Sequence, residues 1–140
     1  MNSKLFLIKD KGNRVNLNQV TLAVKDIQAA SEFYLKLGFI KIVDTPHYLR
    51  FESPMGDATF SLALDIDMVA GNTIIYFEHE QLDQWIEEIK PKGIKLDIEP
   101  RDQRYLWREA SLRDPSGNKI KLYWAGENRR NPPWRVSIND

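Results

Sequence analysis

The residues able to do chemistry in this chain fall on short runs with a period of two. In Tyr48-Leu49-Arg50-Phe51-Glu52, a phenol, a guanidinium and a carboxylate alternate with apolar side chains. Trp107, Glu109 and Ser111 stand in the same relation to Ala110 and Leu112. Successive side chains on a strand point to opposite faces. If Leu49, Phe51, Ala110 and Leu112 pack on helices, the polar set therefore faces a cavity. The same alternation sends Tyr76 and Glu78 inward from one strand and Lys121 and Tyr123 from another. A lining of aromatic rings, fixed cations and carboxylates suits a small polar or anionic ligand with a flat portion, held by charge-assisted hydrogen bonds and stacking. Arg50 and Lys121 are its anion contacts. Glu109 or Glu78, once desolvated, is a candidate general base. The plainer alternative is that these polar side chains are solvated or paired with each other, and that Tyr48 and Trp107 pack in the interior. Two cations in one cavity each need an anion, which Glu52, Glu78 and Glu109 can supply.

The two histidines read differently. His47, beside Pro46 at a strand start, sits at the pocket mouth as a candidate catalytic acid–base, and the sequence identifies no partner for it. His79 follows the second inward strand on its helix-facing side and reads as a packed or hydrogen-bonded residue. No serine-centred nucleophile motif and no phosphate-cradling glycine loop occurs. Gly56 and Gly117 serve turns.

The elements that position these residues are written twice. Val20-Thr21-Leu22-Ala23-Val24-Lys25-Asp26 leads into an amphipathic stretch that stops at Gly38. Ile75-Tyr76-Phe77-Glu78-His79 leads into another that stops at Gly93. Val24 to Gly38 and His79 to Gly93 are both separated by 14 positions. Phe51-Glu52-Ser53-Pro54-Met55-Gly56 is echoed by Leu112-Arg113-Asp114-Pro115-Ser116-Gly117. A unit of about 55–60 residues used twice predicts two modules with a ligand site between them. Strands are expected at 18–25, 39–44, 47–53 and 58–64, then at 73–79, 94–98, 105–113 and 119–124. Helices are expected from an Asp26 cap to Leu37, with Ile27, Ala30, Phe33, Tyr34 and Leu37 on one stripe, and over 82–90, with Leu82, Trp85, Ile86 and Ile89. Residues 5–8 are a possible short strand and 9–14 a turn. The fold class is α+β: two βαβββ modules forming curved mixed sheets around a central cavity. The modules span about 17–65 and 72–125 of a single domain covering 1–140, and 126–140 is an extended tail. There Asn131-Pro132-Pro133 cannot continue a central strand, and Trp134 pins the tail to a surface.

With 140 residues, 42% apolar and 29% charged, the chain can bury a core and is not of disordered composition. Twenty basic and twenty acidic side chains cancel, so no global field recruits nucleic acid or an anionic membrane. The absence of cysteine excludes disulfides, thiolate zinc sites and a cysteine nucleophile. No apolar run approaches the ~20 residues of a membrane span, and no signal-peptide layout is present. The expected location is cytoplasmic.

Val20 to Asp26, Phe33-Tyr34-Leu35-Lys36-Leu37-Gly38-Phe39 and Arg113-Asp114-Pro115-Ser116-Gly117-Asn118-Lys119-Ile120-Lys121-Leu122 resemble the vicinal oxygen chelate superfamily. That superfamily includes glyoxalase I, the bleomycin-resistance proteins and the extradiol dioxygenases, and the resemblance covers residues 17–125. It implies that metal-using members draw their ligands from the first and fourth strands of each module. Carried onto this sequence, those positions hold Gln19, Ser61, Ile74 and Lys121. A glutamine oxygen serves at the first position in some glyoxalases. Serine is a poor ligand, isoleucine cannot ligate, and a lysine repels a metal. The expectation is no metal centre and no cofactor, with Gln19 instead among the ligand-binding residues.

Two functions follow. One is a bleomycin-resistance-like protein that binds a small molecule without a metal. The other is a superfamily lyase, isomerase or dioxygenase using an atypical metal or acid–base residues. A third, weaker reading is an interaction module with no ligand of its own. The resemblance also implies a homodimer, with Trp134 and the tail bracing the interface.

Overall fold

Each half of the chain runs strand, helix, strand, strand, strand. The computed structural model describes residues 14–137; the strand expected at 5–8 and the turn expected at 9–14, apart from Arg14, lie outside them. The first module comprises β1 (Gln19–Val24), α1 (Ile27–Leu37), β2 (Ile40–Asp44), β3 (Tyr48–Glu52) and β4 (Thr59–Leu64). The second comprises β5 (Ile74–Glu78), α2 (Leu82–Ile89), β6 (Ile98–Asp102), β7 (Arg108–Arg113) and β8 (Lys119–Trp124), followed by a short α3 (Glu127–Arg130).

Local chemistry sets the boundaries. Asp26 caps α1 by accepting a hydrogen bond from the Ala29 amide at 3.0 Å. Gly38 ends the helix at φ +108°, where its amide reaches back to Leu35 and Tyr34; a side chain at that position would strain the backbone. α2 has no side-chain cap and runs into a 3-10 turn at Lys90–Lys92 before Gly93. The strand expected at 94–98 forms at Ile98–Asp102 instead. Ile94 is buried and Leu96 packs against the core, so this apolar alternation anchors a connecting segment rather than a ladder. Pro100 is tolerated because β6 is an edge strand.

The sheets repeat one topology, β1-β4-β3-β2 and β5-β8-β7-β6. In each, the first and last strands of the module pair in parallel and the other pairs are antiparallel. The two sheets share no ladder, and both helices join one hydrophobic core with their inner faces. Leu49, Phe51, Ala110 and Leu112 are buried there, as the alternation requires. Leu82 and Ile89 are buried, and Ile27, Phe33 and Trp85 pack against the same core partly buried. Phe77 joins the modules, with its ring 4.5 Å from Phe39 and 5.5 Å from Phe60. Among the described residues, no helix is long and apolar enough to cross a membrane.

Candidate functional site

The expected lining is brought together as two clusters, one on the polar face of each sheet. On the first, Thr45 shapes the entry to β3: its hydroxyl accepts the Tyr48 amide at 2.9 Å and donates to the Tyr48 carbonyl at 2.9 Å. The register sets Arg50 opposite Ser61 and Tyr48 opposite Ala63. Tyr48 and Arg50 therefore both reach toward the buried Ser61. Tyr48 Oη lies 2.5 Å from Ser61 Oγ, and Arg50 donates to Tyr48 Oη through Nε at 3.1 Å and Nη2 at 3.0 Å. Gln19 Nε2 donates to Ser61 Oγ at 2.8 Å, and the Thr59 hydroxyl donates to Gln19 Oε1. The hydrogen bond with Ser61, and after it those from Arg50, hold the Tyr48 phenol below the usual tyrosine range.

On the second sheet, Glu109 is only 4% exposed. Its Oε1 accepts from Lys121 Nζ at 2.8 Å and from Tyr105 Oη at 2.6 Å. Its Oε2 is buried and has no hydrogen-bond partner among the described residues. The hydrogen bond to Glu109 raises the Lys121 pKa against the opposing effect of burial. Burial, then Glu109, pushes the Tyr105 phenol up to about 12. Aromatic rings form a wall beside this group. Trp107 and Tyr123 stack at 4.8 Å, and Tyr76 meets them edge-on at 5.7 and 5.4 Å. Lys121 and Ser111 also line a cavity of about 190 Å³ with Ile74, Asp97 and Arg113.

Other expected site residues have different occupations. Glu78 Oε2 accepts the Ala125 and Gly126 amides at 3.0 and 3.2 Å, which fastens the start of α3. Trp107 Nε1 donates to the Asn128 carbonyl at 3.2 Å, so α3 is tied to the aromatic wall as well. His47 is exposed, and its ring makes no hydrogen bond or ion pair among the described residues. His79 stacks on Trp85 of α2 at 5.0 Å and accepts the Gln81 amide through Nδ1 at 2.8 Å, in keeping with its helix-facing position. Trp134 is 56% exposed, so within this chain it does not pin the tail as expected.

Among the described residues, no hydrogen bond, ion pair or ring contact links the Arg50 cluster to the Lys121 cluster. The module seam is made elsewhere, by Asn118 Nδ2 donating to the Ala23 carbonyl at 2.8 Å and by the Lys25 amide donating to Ser116 Oγ at 2.8 Å. Sequence reasoning passed over Tyr105, which caps Glu109, and treated Ser61 only as a weak metal ligand. The signal for Ser61 was its place opposite Arg50 across a two-residue pleat, which becomes visible only once the hairpin register is known.

The chain matches the model of the Glyoxalase/Bleomycin resistance protein/Dioxygenase superfamily over residues 16–122. It belongs to that superfamily. Its fold is similar to a bleomycin-binding protein complexed with bleomycin, at 18% identity over 79% of this chain and 98% of that one, TM-score 0.66. A glyoxalase/bleomycin resistance protein/dioxygenase from Nocardioides aligns at 20% identity over 96% of this chain and 97% of that one, TM-score 0.69. A lactoylglutathione lyase from Agrobacterium tumefaciens aligns at 15% identity over 84% and 98%, TM-score 0.68. At such identities the likeness is one of fold. No curated protein matches the chain.

The superfamily's metal can be tested against the donors present. Gln19 and Ser61 are bonded to each other, Ile74 offers no donor atom, and Lys121 is an ammonium held by Glu109. This set does not fit a divalent cation. Among the described residues no group of three His, Asp or Glu side chains is placed to hold one.

Proposed function

We propose that this superfamily member binds a small polar molecule with a flat portion, without the family metal centre, on the polar face of its second sheet. The observation that carries this reading is the wall of Tyr76, Trp107 and Tyr123 beside the Lys121–Glu109 pair and its adjoining cavity. Tyr76, the exposed ring of the wall, supplies an aromatic face, and Lys121 a cation that a ligand carboxylate can share with Glu109. On the first sheet, Arg50 is a second anion contact, with Tyr48 and Gln19 beside it. The fold-level likeness to a bleomycin-binding protein supports sequestration as the mode of action.

The test is thermal stabilisation by bleomycin and by a panel of aromatic carboxylates. A ligand present at a hundred times its Kd adds about 2.7 kcal/mol. Stabilisation that is lost in Trp107→Ala, with no product formed, supports the reading. No stabilisation by any member of the panel overturns it. Turnover would favour the enzyme reading, for which Glu109 Oε2, without a hydrogen-bond partner among the described residues, is the candidate base.

A homodimer is part of this proposal. Ile40 and Ile42 on β2 and Ile98 on β6 are exposed on edge strands, an aggregation hazard that a second copy would cover. A monomer by light scattering at micromolar concentration would remove that part.

A further inference from the structure

The cavity beside Lys121 carries a charge that its lining does not balance. It has a volume of about 190 Å³ and is lined by Arg113, Lys119, Lys121, Ser111 and Asp97, among others. The β7–β8 register sets Arg113 directly opposite Lys119, and Ser111 opposite Lys121. All four share the polar face, because 111 and 113, like 119 and 121, are two positions apart on one strand. Side chains opposed in this way stand about 4.5–5.5 Å apart at Cβ, where like charges repel. Against three cations the lining holds one carboxylate, Asp97, which is exposed and lies 3.8 Å from Arg113 Nε, too far for a hydrogen bond. Lys121 has Glu109. Lys119 has only the neutral Asn72, whose Oδ1 accepts from Nζ at 3.1 Å; among the described residues no carboxylate lies within 4.0 Å of it.

The unused donors define what would fit. An ammonium has three hydrogens. Lys119 and Lys121 each make one hydrogen bond among the described residues, which leaves two hydrogens on each. Arg113 Nη2 and Ser111 Oγ make none among the described residues. That is more than the two oxygens of a carboxylate take up. It suits a phosphoryl group, which has three strong acceptor oxygens and about −1.5 to −2 charges at pH 7. Ile74 and Ile98 add apolar walls, which strengthen attraction between charges. The volume is below the ~300–1,000 Å³ of pockets for whole drug-sized ligands, so it holds a group and not a molecule. The rest of the ligand has a place beside it. Ile74 lies opposite Lys119 and Tyr76 opposite Lys121, so the exposed Tyr76 ring begins one two-residue step, about 7 Å, along the sheet.

We propose that this cavity is a phosphoryl subsite, and that the ligand of the second sheet is a phosphate monoester of a flat ring. Arg113 and Lys119 hold the phosphoryl oxygens, Lys121 stands between them and the ring, and the ring lies against Tyr76. Lys121 Nζ is 5.9 Å from the centre of that ring. The subsite stands on the cavity's own lining, and the place of the ring rests on the ligand reading given above. The proposal is one of binding, with no bond made or broken.

Calorimetric titration of the full chain with inorganic phosphate, phenyl phosphate and benzoate, at one ionic strength, tests both parts. Phenyl phosphate should bind more tightly than either of the others. Its Kd should rise about tenfold or more in Lys119→Met and in Arg113→Met, as expected for loss of one charge-assisted contact. Circular dichroism checks that each variant is folded, and if one is not, the other carries the test. Phenyl phosphate that binds no better than benzoate, or that binds equally well to both folded variants, overturns the subsite. Benzoate binding that Trp107→Ala abolishes would still uphold the ligand reading in that case. Inorganic phosphate that binds as tightly as phenyl phosphate, and is lost in both variants, supports the subsite and overturns its connection to the aromatic wall.

Discussion

Tyr34, buried in α1 of the first module, donates its phenol hydrogen to Asp114 of the second at 2.8 Å, across 80 positions of sequence. Asp114 is itself buried and also accepts from the Ser116 and Asn118 amides and from Asn118 Nδ2, each at 2.9 Å. One carboxylate thus shapes the β7–β8 turn and fastens it to the other module. Tyr34→Phe should cost about 1.5–3 kcal/mol, the range for a hydrogen bond to a charged group. Asp114→Ala strands four donors and should cost more than Tyr34→Phe. Denaturant unfolding of both variants checks the order.

Leu82 opens α2 and lies in the shared core. Leu82→Ala should cost about 2–5 kcal/mol, with the spread set by how far the neighbouring side chains relax into the cavity. A change below 1 kcal/mol in the denaturation midpoint, converted with an unchanged slope, would show that this helix face is not packed as described.

Lys121→Met removes the charged partner of Glu109 and leaves a buried carboxylate with Tyr105 as its only donor among the described residues. Breaking one side of a buried pair should cost about 3–5 kcal/mol, whereas replacing both partners with apolar groups is often neutral or stabilising. Lys121→Met combined with Glu109→Leu should therefore recover most of what the single variant loses. A double-mutant cycle measures this directly.

Alkaline conditions should destabilise the fold in a definite window. Tyr34, Tyr105 and Tyr123 have folded pKa values raised above the unfolded value, Tyr105 to about 12. For such groups the stabilisation is complete below the unfolded pKa, about 10, and is lost as pH rises through the folded one. Stability should be flat with respect to these groups up to about pH 10 and fall above it. Tyr105→Phe should make that fall shallower in urea titrations at stepped pH.

Much of the fold was legible because the same signals occur twice. Asp26 and Gly38 marked the limits of α1 by their own chemistry, and Leu49, Phe51, Ala110 and Leu112 marked the core by period alone. β6 was misplaced because Ile94, Leu96 and Ile98 alternate like a strand, yet the first two are drawn into the core before pairing begins. The site was half legible. Strand parity identified which side chains share a face, and Lys121 did find Glu109. Parity cannot show that two faces belong to separate clusters, or that a hairpin register places Arg50 opposite Ser61. Tyr105 shares the parity of Trp107 and Glu109 within the strand expected at 105–113, but β7 begins only at Arg108, and Tyr105 reaches Glu109 from the preceding loop.

The parallel pairing that closes each sheet has a consequence for the order of folding. Gln19 lies opposite Thr59, and Ile74 opposite Lys119, so each sheet is completed by the two ends of its own module. A parallel pair cannot form until the helix and hairpin between its strands have turned the chain back. The antiparallel pairs β3–β4 and β7–β8, joined by short turns, are the local contacts available first. The parallel closures come next. Contacts such as Tyr34 with Asp114 and Ala23 with Asn118, the latter 95 positions apart, depend on both closures being in place. Substitutions at the module seam should therefore accelerate unfolding while leaving the refolding rate nearly unchanged.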